Sequence, residues 1–431
     1  MKPLLFSIGI LLIGAAAAGP ETFTRHPRSY QVGPNPSAIA AGDLNGDGWP
    51  EIITCDIGNL SSPRDERPAN DELSFLVAQG DLLYISQPPL RAGFAPYSVV
   101  IANIDALKAL DIVVGSFLAS NKQAVTLFRN IGENLFEPDQ FAIPSDGLPY
   151  TKQRDADDQP VFAKPGITSI AIADFSHDGF RDVIATAWSC DSLVYLPGND
   201  KTHFGEPKFF PAAGGPRDIA AADLDGDGKL DVVTTMYSSG TVAIWKGDGA
   251  GGFTEVNHFS SRGNLPHKIR IADVNGDDKP DLIVSHCSAD DSIVIFYGEG
   301  GVDFPLSQEI HLGKDHRSIE HEIRDILVED FNGDKRKDIA AACFASNQVI
   351  LLTNDSPNAG IPQQFERESY PFKEGHPRAL CAADFDKSGR ADLGVALWGT
   401  NSVALLLAKS PIESKAAPAT TSAKKREKTS H

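Results

Sequence analysis

The chain has 431 residues, 41% of them hydrophobic, and carries 58 acidic against 39 basic side chains for a formal net charge of −19. That acidity excludes a nucleic-acid partner, because phosphates would be repelled. The five cysteines, Cys55, Cys190, Cys287, Cys343 and Cys381, are odd in number and form no C-x-x-C pattern, so neither a disulfide framework nor a thiolate metal site is expected.

In chain order, residues 1–18 come first. Lys2, an apolar run and small residues up to Ala18 read as an export signal. The run is too short to favour a membrane span. The mature protein is therefore expected to be secreted or periplasmic, where calcium is abundant. Next is a strand-like segment, "FTRHPRSYQV" from Phe23. Then an acidic nine-residue loop recurs: "DLNGDGWPE" from Asp43, "NIDALKALD" from Asn103, "DFSHDGFRD" from Asp174, "DLDGDGKLD" from Asp223, "DVNGDDKPD" from Asp273, "DFNGDKRKD" from Asp330 and "DFDKSGRAD" from Asp384. An EF-hand would need a bidentate Glu at position 12 and flanking helices. Counting from Asp223, position 12 is Thr234, and the residues after the loop are β-branched and read as a strand. The loop therefore joins two strands and ends on an acid at position 9.

Calcium takes six to eight oxygens, and carboxylates alternating with glycine can wrap around it. Six copies offer side-chain oxygens at positions 1, 3, 5 and 9 and a backbone carbonyl at position 7. They are Asp43, Asn45, Asp47 and Glu51 with Trp49; Asp174, Ser176, Asp178 and Asp182 with Phe180; and Asp223, Asp225, Asp227 and Asp231 with Lys229. The others are Asp273, Asn275, Asp277 and Asp281 with Lys279; Asp330, Asn332, Asp334 and Asp338 with Arg336; and Asp384, Asp386, Ser388 and Asp392 with Arg390. The Asp43, Asp223 and Asp273 loops are the strongest candidates. Ser176, Ser388 and Lys335, which replaces a turn glycine, weaken the other three. The Asn103 copy has Leu107 at position 5 and is expected to hold no metal. The bland alternative for any one loop is a polar turn without an ion. Of the 58 acidic residues, 22 lie in these seven loops, so several structural Ca2+ ions would offset much of the charge.

Each loop follows one apolar strand and precedes two more, and a fourth strand usually opens with Phe. Four strands per repeat predict an all-β fold, a seven-bladed β-propeller of four-stranded blades. The seventh repeat lacks its fourth strand, and the strand at Phe23 belongs to no repeat. Closure of the ring by that N-terminal strand resolves both deficits and removes the loose edges. The repeated D-x-[DN]-x-D-G-x-x-D loop between strands resembles the FG-GAP or VCBS repeat proteins, whose propeller is similar to that of integrin α-subunits. The resemblance covers residues 22–409. It implies calcium between the first and second strands of a blade, and a function that varies among adhesion modules, lectins and parts of polysaccharide-degrading enzymes. Residues 410–431, built of Pro, Ala, Ser, Thr and Lys without apolar period, are expected to be disordered.

The end of the ring opposite the loops would carry three long insertions, 59–71, 144–166 and 312–324. Two residue columns point to the same end. Six residues before each loop stand Ser37, Tyr97, Thr168, Arg217, His267, Arg324 and Arg378, which would surround the channel mouth; the three Arg and one His, from four consecutive blades, make a basic arc that would suit carboxylates or phosphates. The alternative is that each Arg pairs with a nearby acid such as Asp218 or Asp325. Six residues after each loop stand Ile57, Phe117, Trp188, Tyr237, Cys287, Phe344 and Trp398, which would stack on sugars or pack between blades. His311, His316 and His321 with Glu320 and Glu322 form a possible metal or acid–base cluster, but at no known ligand spacing.

The leading expectation is a monomeric, calcium-stabilised binding or adhesion module for an anionic or sugar ligand, a polysaccharide or a protein. The alternatives are a polysaccharide lyase using the same end, with Tyr97 or His267 moving a proton, and a protein-interaction scaffold. No nucleophile motif, P-loop or dinucleotide fingerprint supports an enzyme.

Overall fold

In the computed structural model, residues 6–12, 21–58, 70–104, 109–118, 123–143, 165–200, 203–287, 291–313, 320–356 and 360–409 are described. The strands form seven four-stranded antiparallel sheets, the blades of a β-propeller. Blade 4 shows the plan, with Pro216–Ala222 innermost, then Asp231–Met236, Thr241–Gly247 and Phe253–Ser260 at the rim. The innermost strands of the other blades are Pro36–Gly42, Pro96–Ala102, Ile167–Ala173, Pro266–Ala272, Ile323–Glu329 and Pro377–Ala383. Each touches its neighbours in sequence, and Pro36–Gly42 packs on Pro377–Ala383, so the ring is closed.

Why these segments sit where they do follows from their side chains. The second strand of every blade is buried at all six positions. After the acid that opens it, its residues are apolar or small on both faces, Asp56 and His286 excepted, so it has to be sandwiched. The hydrophobic clusters show between what. Each joins two adjacent blades, as when Val233 and Ile244 of blade 4 pack with Ile269, Leu282 and Phe296 of blade 5. The core is thus a ring of inter-blade layers.

Closure is as expected. Phe23–Gln31 pairs antiparallel with Ser402–Ala408 and completes blade 7. Phe23 is fully buried, with its ring 5.5 Å from Phe331 and 5.6 Å from Tyr370. Its backbone N–H donates to Tyr370 Oη at 3.0 Å. Two departures from the regular plan occur. The rim strand of blade 1 is split into Tyr84–Ser86 and Leu90–Arg91, and blade 3 carries a small extra hairpin, Gly198–Asn199 with His203–Phe204. Phe6–Leu12, within the segment read as an export signal, runs parallel to Leu306–His311 at the rim of blade 5. Among the described residues no helix is long and apolar enough to cross a membrane. The tail, 410–431, lies outside the described residues.

Candidate functional site

The acidic loops lie between the first and second strands of their blades, all at one end of the ring. Position 9 has a role of its own. Glu51, Asp111, Asp182, Asp231, Asp281, Asp338 and Asp392 are all fully buried. Asp231 accepts from Leu224 N–H at 3.2 Å and from Gly247 N–H at 3.0 Å, tying the loop to the end of the third strand. Asp281 does the same with Val274 and Gly298, and Asp392 with Phe385 and Ala408. Asp111 does so with Ile104 and Asn130, in the copy expected to be metal-free. Burial pushes the carboxyls of Glu51 and Asp338 up to about 7, and those of Asp281 and Asp392 up to about 6.

Positions 1, 3 and 5 turn the loop. Asp223 accepts from the backbone N–H groups of Gly226, Asp227 and Gly228, and Asp227 Oδ1 accepts from Lys229. Asp43, Asp273 and Asp330 repeat this pattern. At position 7, Trp49, Phe180, Lys279 and Arg336 each donate a backbone N–H to the position 5 carboxylate. Within this frame two acid sets converge, with oxygens of Asp223, Asp225 and Asp227, and of Asp384, Asp386 and Asp392, within 4.8 Å of one another. Lys246 Nζ sits on the first set, bonding Asp225 and lying 3.1 Å from Asp227 Oδ2. In the second set Asp384 Oδ1 is buried without a partner. The Asp384 loop, ranked lower on sequence for its Ser388, therefore gathers its acids as closely as the Asp223 loop. Arg390 in that loop reaches across to donate to Phe331 O at 2.6 Å.

The opposite end holds the channel mouth. A cavity of about 200 Å³ there is lined by Ser37, Tyr97, Thr168, Arg217, His267 and Arg378, one from each of six blades. The first column thus converges as its spacing implied. Arg324 stands beside it, paired with Glu322 and with its guanidinium 5.6 Å from the Phe344 ring. Arg217 and Arg378 both donate to Tyr97 Oη, Arg378 at 2.6 Å. Arg217 also lies 3.1 Å from His267 Nε2.

Whether the arginines simply pair with Asp218 and Asp325 is answered by the layer beneath. Asp218 is taken by Lys268 at 3.2 Å, Arg270 at 3.1 Å and Ile269 N–H at 2.9 Å. Arg270 also reaches Asp325 at 2.9 Å and bridges the two acids. Among the described residues, Arg217 and Arg378 have no carboxylate within ion-pairing distance. Sequence reasoning missed Arg270. Only its place two residues after Lys268 on an inward-facing strand hints at it.

The electrostatics follow. Burial pushes the Tyr97 phenol up, but Arg217, Arg378, Lys268 and Arg324 outweigh it and bring it down to about 7. Burial, then the same four cations, hold the His267 imidazole well below its usual range. His267 is therefore neutral. Its Nε2 accepts from Arg217, and its buried Nδ1 has no partner.

The second column lies beside the first. In each blade the backbone N–H of the second-column residue donates to the carbonyl two residues before the first-column residue, as from Tyr237 to Gly215 at 2.9 Å and from Phe117 to Ala95 at 2.8 Å. Ile57 and Cys287 are buried. Phe117, Trp188, Tyr237, Phe344 and Trp398 are half-buried. Ring centroids run from Tyr97 to Phe117 at 5.6 Å, to Trp188 at 5.8 Å and to Tyr237 at 6.5 Å. These rings pack on one another between blades, beside the residues that line the mouth.

The histidine loop does not form a metal cluster among the described residues. His321 Nδ1 contacts Ser346 Oγ at 2.8 Å and its Nε2 contacts Leu312 O at 2.9 Å, while Asp291 accepts from the backbone of Glu320, His321 and Glu322. His311 lies 3.6 Å from Glu309. His316 lies outside the described residues, as do 59–69, 144–164 and 314–319, the bulk of the three insertions.

A closed ring of four-stranded blades with an acidic loop in each defines the class, a repeat-built β-propeller. Residues 174–234 and 224–284 match the FG-GAP-like repeat family, and these repeats on a seven-bladed ring are consistent with an integrin-like FG-GAP propeller. No curated protein matches the sequence. Among solved structures, the chain is similar to BBS1N in its complex with ARL6DN, at 12% identity and a TM-score of 0.56, over 90% of this chain and 96% of that one. It is similar also to virginiamycin B lyase from Staphylococcus aureus, at 12% identity and a TM-score of 0.55, over 90% of this chain and the whole of that one. At these identities the likeness is one of fold. FG-GAP repeats on such a scaffold point to a binding or interaction module.

Proposed function

We propose that the protein is an exported, calcium-stabilised binding module that holds an anionic group of its ligand at the channel mouth. One observation carries the reading. Two guanidiniums, Arg217 and Arg378, converge on one point with no carboxylate among the described residues to neutralise them, on a chain of net charge −19. A buried cation needs a counter-charge, and among the described residues the neutral Tyr97 hydroxyl, with His267 Nε2 for Arg217, takes that place. A ligand carboxylate, with two acceptor oxygens, matches the pair of forks better than one phenol oxygen does.

Calcium fits the other end on chemistry. Carboxylate oxygens converge at Asp223, Asp225 and Asp227, where the Lys246 ammonium already plays a cation's part, and the orphaned Asp384 Oδ1 lacks one. Asp384, Asp386 and Asp392, with the Arg390 carbonyl, would hold an ion that offsets their charge. The export signal, residues 1–18, is consistent with this chemistry.

The test is titration of a carboxylate-bearing oligosaccharide into the wild type and into Arg217→Ala/Arg378→Ala. The double variant is expected to lose at least tenfold in affinity with little change in unfolding temperature. Equal affinity in both would refute the mouth as the site. A second reading, a lyase, is favoured by the low pKa of Tyr97 alone. A Tyr97 phenolate would take the proton beside a uronate carboxylate, the carbon–carbon double bond would form, and the bond to the leaving glycosidic oxygen would break as the Tyr97 hydroxyl so formed returns that proton to the oxygen. New unsaturated chain ends in the same incubation would establish it, and their absence would dismiss it.

A further inference from the structure

We infer that the ligand is a uronate-bearing glycan, with one acidic sugar unit in the mouth and the adjoining units lying across the aromatic rim. The inference rests on the anion-binding reading above and adds the chemistry around it. The cavity, about 200 Å³, falls below the roughly 300–1,000 Å³ of pockets that enclose a drug-sized ligand. It admits one charged unit and leaves the rest of any ligand outside. What lies outside is specific. Phe117, Trp188 and Tyr237, from three successive blades, continue from Tyr97 as a run of half-buried rings. Aromatic rings give broad apolar contact with a polar tip or edge, which suits the C–H faces of sugars.

The interior adds a second, independent sign. His267 is 1% exposed, lines the cavity and has no partner for Nδ1, although buried polar groups are nearly always paired. Neutral, with Nε2 already accepting from Arg217, it carries its one N–H donor on the unpaired Nδ1. A unit carrying both a carboxylate and hydroxyls satisfies both features. Inorganic phosphate would engage the arginines but leave the rim uncovered. An acidic peptide would place an amide backbone, with its own donors and acceptors, on rings that offer it few partners.

The experiment uses the calcium-loaded mature chain and five probes: a short oligogalacturonate, its methyl ester, a hyaluronan oligomer, a neutral cello-oligosaccharide and inorganic phosphate. At least one uronate oligomer is expected to bind tenfold or more tighter than the methyl ester and the neutral chain. Trp188→Ala should weaken that oligomer about tenfold while leaving free glucuronate unchanged. Equal binding of ester and acid, or no effect of Trp188→Ala on the oligomer, would overturn the inference. Binding of phosphate or an acidic peptide with no uronate binding would also overturn it, and would leave the anion-binding reading standing. No binding of any anion, with the Arg217→Ala/Arg378→Ala chain indistinguishable from wild type, would remove both. The ester comparison needs no variant, so a misfolded mutant cannot blur the outcome.

Discussion

Asp225 and Asp231 belong to one loop and do different work. Asp231 is fully buried and accepts from two backbone N–H groups, so its loss strands both donors. Each unsatisfied buried donor costs about 1–3 kcal/mol, and Asp231→Ala is expected to destabilise the chain by at least about 2 kcal/mol with or without calcium. Asp225 accepts one loop N–H and meets Lys246. Asp225→Ala is expected to cost little in a chelator, within about 0.5 kcal/mol, and to remove part of the increment that calcium adds. Denaturant unfolding with and without chelator separates the two. An Asp225→Ala chain that gains as much from calcium as the wild type would rule out that loop as a site. The acids of this loop were legible in sequence, but the visit of Lys246 was not. It comes from the third strand, and only the folded hairpin brings its ammonium over the loop.

At the scale of the element, the N-terminal strand is the most exacting test of closure. Phe23 is buried among Phe331, Tyr370 and the seventh blade, and its strand covers the edge of Ser402–Ala408. Removing its ring is expected to cost about 3–5 kcal/mol, as for other buried Phe→Ala changes. Deleting residues 23–31 should prevent stable folding, because it exposes a full strand edge and the apolar face beneath it. Circular dichroism with thermal melting checks both, and a deletion chain that melts like the parent would contradict the closure. This element was readable from a counting argument alone: one strand too many at the start and one too few at the end. The split rim strand of blade 1 and the extra hairpin of blade 3 were not, since strand breaks at an exposed rim depend on local backbone geometry rather than on apolar pattern.

At the scale of the molecule, the ring separates two chemistries. One end collects buried and half-buried carboxylates, and the other collects Arg217, Arg378, Arg324 and Lys268. Fixed spacing from a repeated loop made both columns predictable, because each blade places its strand ends at the same radius. The pairing inside the mouth was not predictable, because the choice of Arg270 over Arg217 as the partner of Asp218 is set by side-chain reach across neighbouring strands. On the calcium reading, an occupied site adds about 2.7 kcal/mol when free calcium is a hundred times its dissociation constant. A chelator is therefore expected to lower the unfolding temperature. The drop should be larger at low salt, where repulsion among the acids is least screened. An unfolding temperature indifferent to calcium would exclude a stabilising role for it.

The mouth is most directly read through Tyr97. An unperturbed tyrosine ionises near 10, whereas the cations around Tyr97 bring it to about 7. Its ionised form is favoured in the fold, so the stability it contributes is complete above the unfolded value and is lost as pH falls through about 7. On the anion-binding reading, ligand binding runs the other way. It is strongest below that pH, where Tyr97 is neutral and the guanidiniums lack a counter-charge, and it weakens as the phenolate forms. The decisive measurement is ultraviolet difference titration of the wild type against Tyr97→Phe, with and without a carboxylate ligand. The account predicts one phenolate appearing near neutral pH in the wild type alone, moved to higher pH by the ligand. Identical titrations of the two chains, with no tyrosine ionising before the ordinary range, would contradict it.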